Sequence, residues 1–541
     1  MGYAHEYAAA IMRRGRVPME PVDFVPDWAD GPRKTKFYPG TERLPLPDAG
    51  PWPTSATTGR GLGGDSPEPV LSEGEFGLPE LAGLLGDSYG LTGRRLGVQA
   101  NTDLDALPSY PLANWSRGTA SGGGLYPVAV YWVSGAGGPV PPGVHHYSPR
   151  HHALRRLLTG DVTGEVRAAL GEGAPGPVGG TDQYLVLGVK YWQNAFKYNS
   201  FSFHAVSMDV GALLGSWRTW ARARGLSLEP ALWFDEARLA RLLGVRGAEE
   251  GIFAVVPLPW AGGRAATAAP VAAGVARRDV ERSRRVVEFD ALRAMQEATS
   301  ADAARRPPPG ALAPAAVRPR SGGAEPLPAP VPLETGLRTA LRARRSSFGR
   351  FAAGRPLEGG ELAALLAAAH GAARLGGDAE AAGAADLTRL YVFVNHVAGI
   401  APGAYAYDPA GGGLLAVKAG PPGPFLQKNY FLANYNLEEA AAVLVPAIRT
   451  HAVLDAVGGR GYRLVNAVVG AVAQATYTAS AALGVGCGVA LGFDNIAYRE
   501  ELGMPDDDGG GDGDGDGEQP LLIMMVGHER PAPADFRYRI A

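Results

Sequence analysis

Arg344-Arg345-Ser346-Ser347-Phe348-Gly349-Arg350-Phe351 gathers three guanidinium groups and two hydroxyls into eight consecutive residues. A helical pattern over residues 337–343 leads into it. A planar, permanently charged fork suits a phosphate better than an ammonium does. Taken alone, the stretch reads equally as a solvated helix end in an arginine-rich chain. Two further facts give it weight: the chain contains a second copy of itself, and that copy lacks this stretch.

The duplication is read at a fixed offset. Gly143, Tyr147 and Pro149 recur 260 residues on as Gly403, Tyr407 and Pro409. Gly211 and Gly225 recur 259 residues on as Gly470 and Gly484. Phe234-Asp235 followed by Leu243-Gly244 recurs as Phe493-Asp494 followed by Leu502-Gly503. Glu80-Leu81-Ala82 recurs as Glu361-Leu362-Ala363 at a larger offset, so the first half carries an insertion. The expected organisation is an N-terminal extended arm (1–75), a first domain (76–260), a linker (261–333) and a second domain (334–541).

Within that plan the apolar runs at 125–133, 184–189 and 251–258 predict buried strands. Residues 143–158 predict a hairpin, and 203–225 a long helix with glycines on one face. The arm is rich in Pro and Gly after one short helix near 6–14, and needs a body to lie on. The linker has a proline-dense stretch at 305–332, which predicts an extended and mobile chain, with a helix near 286–299. Residues 506–518 alternate Asp and Gly but lack a convincing terminal bidentate acid, so a solvated loop is expected rather than a calcium site.

The 541 residues hold 51 basic and 54 acidic side chains, a balance that argues against nucleic acid or an anionic membrane surface as partner. A single cysteine, Cys487, excludes a disulfide framework. No apolar signal region or long apolar run is present, and a cytoplasmic protein is expected.

The two copies differ in a complementary way. Opposite the arginine stretch the first half has Gly63-Gly64-Asp65-Ser66-Pro67, with no basic cluster. Opposite Ala120-Ser121-Gly122-Gly123-Gly124-Leu125 the second half has Ala381-Ala382-Gly383-Ala384-Ala385-Asp386, and Lys197-Tyr198 maps onto Ala456-Val457. Gly486-Cys487-Gly488-Val489-Ala490-Leu491-Gly492 maps onto 227–233, which holds no glycine. Fusion of a homodimer with two shared sites accounts for this sorting: one composite site is kept and its symmetry mate decays.

Arg344-Arg345-Ser346 with Arg350-Phe351, Ser121-Gly122 leading to Leu125-Tyr126-Pro127, and Lys197-Tyr198 before a glycine-bearing helix resemble the FMN-dependent nitroreductase superfamily. More narrowly, they resemble the SagB-type azoline dehydrogenases of thiazole- and oxazole-containing peptide biosynthesis, in a tandem form similar to that of thiopeptide-like pathways. Arg460-Gly461-Tyr462-Arg463-Leu464 and Gly492-Phe493-Asp494 fit the same pattern. The resemblance implies an α+β fold: two tandem nitroreductase-like domains, each a mostly antiparallel sheet flanked by helices, paired as an intramolecular pseudo-dimer. It implies FMN, an azoline-containing precursor peptide as substrate, and cyclodehydratase components of the same pathway as partners. Further homo-oligomerisation is left open. Ala120 stands where the family has proline, and 200–204 lacks the arginines of the equivalent second-half segment.

On that resemblance Arg344, Arg345, Ser346 and Arg350 take the flavin phosphate. Ser121, Gly122 and Gly123 offer backbone amides to the ring, and Gly488, Ala490, Leu491 and Gly492 pass beside it, where a Cβ obstructs least. Oxidation of an azoline removes a Cα proton and a Cβ hydride. Lys197 and Tyr198 are the candidate catalytic pair, and the sequence leaves open which takes the proton. A general NAD(P)H-dependent flavin nitroreductase and a flavin-free scaffold are the competing readings. No metal is expected: His145-His146 and His151-His152 lack matching acidic or cysteine ligands and read as a surface hairpin. Cys487 reads as a packing residue. Arg530, Arg537 and Arg539 lie close enough in sequence to the last strand to reach the phosphate or to end in a free tail.

Overall fold

The computed structural model describes the chain apart from residues 1, 49, 64–73, 97–113, 178, 266–268, 271–272, 321, 505–516, 532–535 and 541. The Asp/Gly segment expected to be a solvated loop lies almost entirely outside the described residues.

The strands in chain order are β1 (Arg43–Pro45), β2 (Gly93–Leu96), β3 (Asn114–Ser116), β4 (Val128–Ser134), β5 (Gly143–Ser148), β6 (Ala153–Thr159), β7 (Gln183–Lys190) and β8 (Glu250–Pro257). They continue as β9 (Glu325–Pro326), β10 (Thr388–Val394), β11 (Gly403–Asp408), β12 (Gly413–Ala419), β13 (Ala442–Ile448), β14 (Gly486–Ala490), β15 (Gln519–Pro520), β16 (Ile523–Gly527) and β17 (Phe536–Arg539). One sheet runs β1-β6-β5-β4-β7-β8 and the other β9-β12-β11-β10-β13-β16-β14, with β15 also on β13. All their pairings are antiparallel. The two orders superpose strand for strand from β1/β9 to β8/β16. Even the irregularity of the hairpin is repeated, between Val144 and His145 and between Ala404 and Tyr405. The fold is α+β, with two tandem units.

Continuous apolar runs make these strands because both faces of each sheet are covered. β4 and β10 are buried at every residue. Between the sheets lie the long helices Ser202–Ala223 and Gly461–Leu483, whose crossing holds the halves together. The crossing is set by glycine. A Cβ on Gly211 would stand 1.9 Å from the Ala467 carbonyl oxygen, and one on Gly470 would stand 2.0 Å from that of Met208. Neither neighbour is a side chain that can swing away. Gly470→Ala therefore has to push two backbones apart, and the expected cost is about 1–3 kcal/mol or more. A thermal unfolding midpoint equal to that of the wild type would contradict this account of the contact.

The arm crosses both halves. Its helix Tyr3–Arg13 sets His5 Nε2 2.9 Å from Asp455 Oδ1, and the Tyr7 hydroxyl donates to the Ser200 carbonyl at 2.6 Å. At the other end of the chain, β17 pairs with β2, so the second half closes a small sheet on the first.

The linker departs from the expectation of a mobile tether. Helix Asp290–Ser300 forms in it and turns Gln296 and Thr299 inward. Beyond it, Gly310 and Leu312 amides donate to the carbonyls of Ala381 and Ala382 at 2.9 and 2.8 Å, and the Val317 amide donates to Asp386 at 2.9 Å. Leu312 and Ala315 are fully buried. Proline removes amides but leaves carbonyls and apolar surface, so an extended proline-rich chain can dock where another segment supplies donors. The segment it covers, 381–386, is the counterpart of the Ser121 glycine loop. The linker lies across the second half's counterpart of that loop.

Arg460 caps the start of helix Gly461–Leu483 and Arg463 lies in its first turn. Arg460 Nη1 stands 2.7 Å and Arg463 Nη1 3.0 Å from buried Glu236 Oε2 of the first half, while Arg463 Nη2 donates to linker Gln296 at 2.8 Å. Two guanidinium groups hold the Glu236 carboxyl below its usual range against the opposing effect of burial. His145 and His146 correct a second expectation. They lie on β5 with 0% and 3% exposure, and burial lowers their pKa to about 4 and about 3. They are neutral core residues, not a surface hairpin.

Candidate functional site

A cleft of about 1550 Å³ opens between the halves and draws its walls from both. The first half contributes Ser121, Gly122, Gly123, Lys197 and Tyr198; the second contributes Arg344, Arg345, Ser346, Ala490, Leu491 and Gly492. Arg350 and Gly488 stand outside the wall. Arg350 is buried and 3.6 Å from Glu529 Oε1, and a Cβ on Gly488 would meet the Tyr435 ring at 2.3 Å.

The arginine stretch leaves helix Leu337–Ala343 and is fixed to the start of β14. The Ser347 amide donates to the Cys487 carbonyl, and the Cys487 amide donates to Ser347 Oγ, both at 3.0 Å. Ser347 is thereby structural, whereas Ser346 turns to the cleft and its Oγ lies 2.8 Å from the Tyr477 hydroxyl. Arg344 donates through Nη2 to the Arg117 carbonyl at 3.0 Å, and its guanidinium lies 5.2 Å from the centre of the Tyr477 ring. Arg345 is ion-paired with Glu529. Nε of Arg344 and of Arg345 are buried without a partner among the described residues. Buried donors of this kind call for an acceptor. Cys487 beside them is fully packed, and burial pushes its thiol up to about 12, which leaves it a neutral packing group.

Across the cleft the Ser121 loop is folded back on itself. Gly123 and Gly124 have φ of +62° and +65°, and Tyr126 follows at +52°. A Cβ on Gly123 would stand 2.6 Å from the Tyr198 hydroxyl and 3.1 Å from Lys197 Nζ. The glycine is therefore what lets the loop lie against the Lys-Tyr pair. Lys197 Nζ is 4.9 Å from the Tyr198 ring centre. Asn199, next in the chain, has φ +41°, a second costly backbone at the same spot.

Asp209 is the residue that sequence reasoning missed. From the buried face of helix Ser202–Ala223 it accepts the Ser121 hydroxyl at 2.6 Å and the Gly122 amide at 2.8 Å. The Tyr126 amide donates to Ser121 Oγ at 2.8 Å. Ser121 and Gly122 thus hold the loop together, and the Gly122 amide is not directed at a ring. From the other half, Gln474 accepts the Ala120 amide at 2.8 Å and donates to the Gly118 carbonyl at 3.1 Å. The one signal was an acid among apolar positions, Met208-Asp209-Val210, in a helix whose face is otherwise buried.

Burial pushes the Asp209 carboxyl up to about 7, against the two hydrogen bonds that favour its charged form. Its folded pKa thus exceeds its unfolded value of about 3.9, so folding favours the protonated form. That contribution is complete below about pH 4 and is lost as pH rises towards 7. Relative to Asp209→Asn, the wild type is expected to lose stability on the order of a few kcal/mol between those limits. Urea unfolding of both proteins at pH 4.5 and 7.5 reads the difference, and an unchanged gap between them would contradict it.

No group of three or more His, Cys, Asp or Glu able to hold a metal ion lies among the described residues, and no helix there is long and apolar enough to cross a membrane. Arg530 donates to the Gly349 carbonyl at 3.3 Å, and Arg537 and Arg539 lie on β17 opposite Arg95 and Gly93.

The sequence profile of the nitroreductase family matches residues 341–528. No curated protein matches the chain. Among solved structures, a protein of Anabaena variabilis provisionally assigned as a nitroreductase aligns over 98% of this chain and 100% of its own, with TM-score 0.67 and 21% identity. It shares the fold across both halves. A protein of Ralstonia eutropha with the same provisional assignment is 19% identical and covers 42% of this chain and 95% of its own, with TM-score 0.27. The E. coli microcin synthetase complex with truncated pro-MccB17 bound is 18% identical over 35% of this chain and 66% of that one, with TM-score 0.26.

Proposed function

We propose that this protein is an FMN-dependent dehydrogenase that oxidises thiazolines, or oxazolines, to the aromatic azoles in a ribosomally made peptide. One observation carries the reading: the arginine stretch of one half and the glycine loop and Lys-Tyr pair of the other meet in a single cleft. The nitroreductase family match over 341–528 supports oxidoreductase chemistry there.

The residues fit a flavin. Buried Nε atoms of Arg344 and Arg345 have no partner among the described residues, and Ser346 stands beside them, a donor set suited to a phosphate. Gly492 keeps a second wall low, since a Cβ there would meet Leu432 at 2.9 Å. When bound, FMN supplies the hydride acceptor. The protein's own work is to place the azoline and to take its Cα proton. Lys197 and Tyr198 are side by side at the loop, where one can accept the proton while the other steadies the charge that results. Azolines arise by cyclodehydration of Cys, Ser or Thr in a peptide, so a cyclodehydratase is the partner that feeds this site.

The purified chain should carry one FMN and absorb as an oxidised flavin. With an azoline-bearing peptide it should remove two hydrogens per ring, read by mass spectrometry. Turnover of NAD(P)H with a nitroarene but no azole product would replace this reading with a general flavin reductase, and a colourless chain that cannot be loaded with FMN would leave a scaffold.

A further inference from the structure

Arg117 is a buried cation with no counter-charge among the described residues. It is 3% exposed, and its guanidinium lies 4.0 Å from the centre of the Tyr126 ring and 4.5 Å from that of Tyr89. Stacking on two rings compensates part of its lost hydration. Its Nε and Nη1 nevertheless have no hydrogen-bond partner, and no carboxylate among the described residues stands within ion-pair distance. Two buried acids of the same cleft are engaged elsewhere. Asp87 is held by Arg338 at 2.9 Å and by the Trp220 indole at 3.0 Å, and Asp209 is held by the glycine loop. An unpaired charge removed from water is costly unless something anionic meets it.

Lys34 of the arm lines the cleft beside it, and the two also share a small side recess. Burial of the ammonium, then the charges of Arg117 and Lys197, lower the Lys34 pKa. Three cations, Arg117, Lys34 and Lys197, thus converge on one part of the cleft. From sequence the arm reads only as an extended segment that needs a body to lie on.

We infer that Arg117, with Lys34 beside it, binds a carboxylate of the peptide substrate, so that the ring to be oxidised lies next to a C-terminal carboxylate or an acidic side chain. The inference rests on the proposed function only for calling the ligand a peptide; the binding itself is read without turnover. The carboxylate docks against a guanidinium already oriented by two rings, and it fixes the azoline relative to Lys197 and Tyr198.

Calorimetry on the full chain loaded with FMN tests it, with N-acetylglycine, N-acetylglycinamide and the α-monoamide of N-acetylaspartate, whose side-chain carboxylate is free, as probes. At least one acid should bind about 10-fold or more tightly than the neutral amide, and the tighter of the two acids identifies the source of the carboxylate. Arg117→Met should weaken that acid about 10-fold or more with FMN content unchanged, while Arg117→Lys should retain most of the affinity. If Arg117→Met does not fold, Lys34→Met, on the exposed arm, should still lower the affinity several-fold. The inference is overturned if the amide binds as well as the acids, if Arg117→Met and Lys34→Met leave affinity unaltered, or if Arg117→Met releases FMN, which would assign the guanidinium to the flavin phosphate. Failure of azole formation with acid binding intact would count against the proposed function alone.

Discussion

An Arg344→Ala, Arg345→Ala double variant is expected to purify colourless. Each guanidinium offers a charge-assisted hydrogen bond to a phosphate, worth about 1.5–3 kcal/mol. Losing both should raise the Kd for FMN by about 10²- to 10⁴-fold. Glu529 sharpens the test, because its carboxylate already pairs with Arg345 and lies 3.6 Å from Arg350. An entering phosphate competes with that carboxylate. Glu529→Gln should therefore bind FMN more tightly than the wild type, the opposite direction from the arginine variants. Flavin absorbance after gel filtration and a fluorescence titration measure both. Full FMN retention by the double variant would remove the arginine stretch from the site.

Lys197→Ala and Tyr198→Phe should each lower azole formation by about 10²- to 10⁴-fold, the usual worth of a positioned acid or base. Both should keep their flavin, since neither residue belongs to the arginine stretch assigned to its phosphate. The two losses are not expected to add, because the groups stand side by side at Gly123 and act on one proton. Single-turnover reduction of bound flavin by an azoline peptide separates this from weakened substrate binding. Undiminished reduction in both variants would refute the assignment.

The duplication is legible in the sequence because it repeats rigid features. Gly143 and Gly403 open the same hairpins, Asp235 and Asp494 cap the same short helices, and Gly211 and Gly470 meet at the same crossing. The elements that bring Lys197 and Arg344 to one cleft follow from it. What is not legible depends on which surfaces face one another. The linker has the composition of a free tether, yet its path is decided by donors on 381–386 that only the folded chain presents. His145 and His146 read as hairpin polar residues because nothing local reveals that the far face of their sheet is covered. Arg117 and Lys34 carry no motif, and only the fold brings the arm across the first domain.

The strap that lies over residues 381–386 also joins the two walls of the cleft in one chain, so dilution does not part them. A catalytic centre shared by two separate chains is lost when they part, and its output falls with concentration. Here both walls of the cleft are tethered and held at a high effective concentration, and the tether itself covers residues 381–386. The working unit should keep the same activity per chain at nanomolar and micromolar levels, and a specific activity that falls on dilution would contradict this.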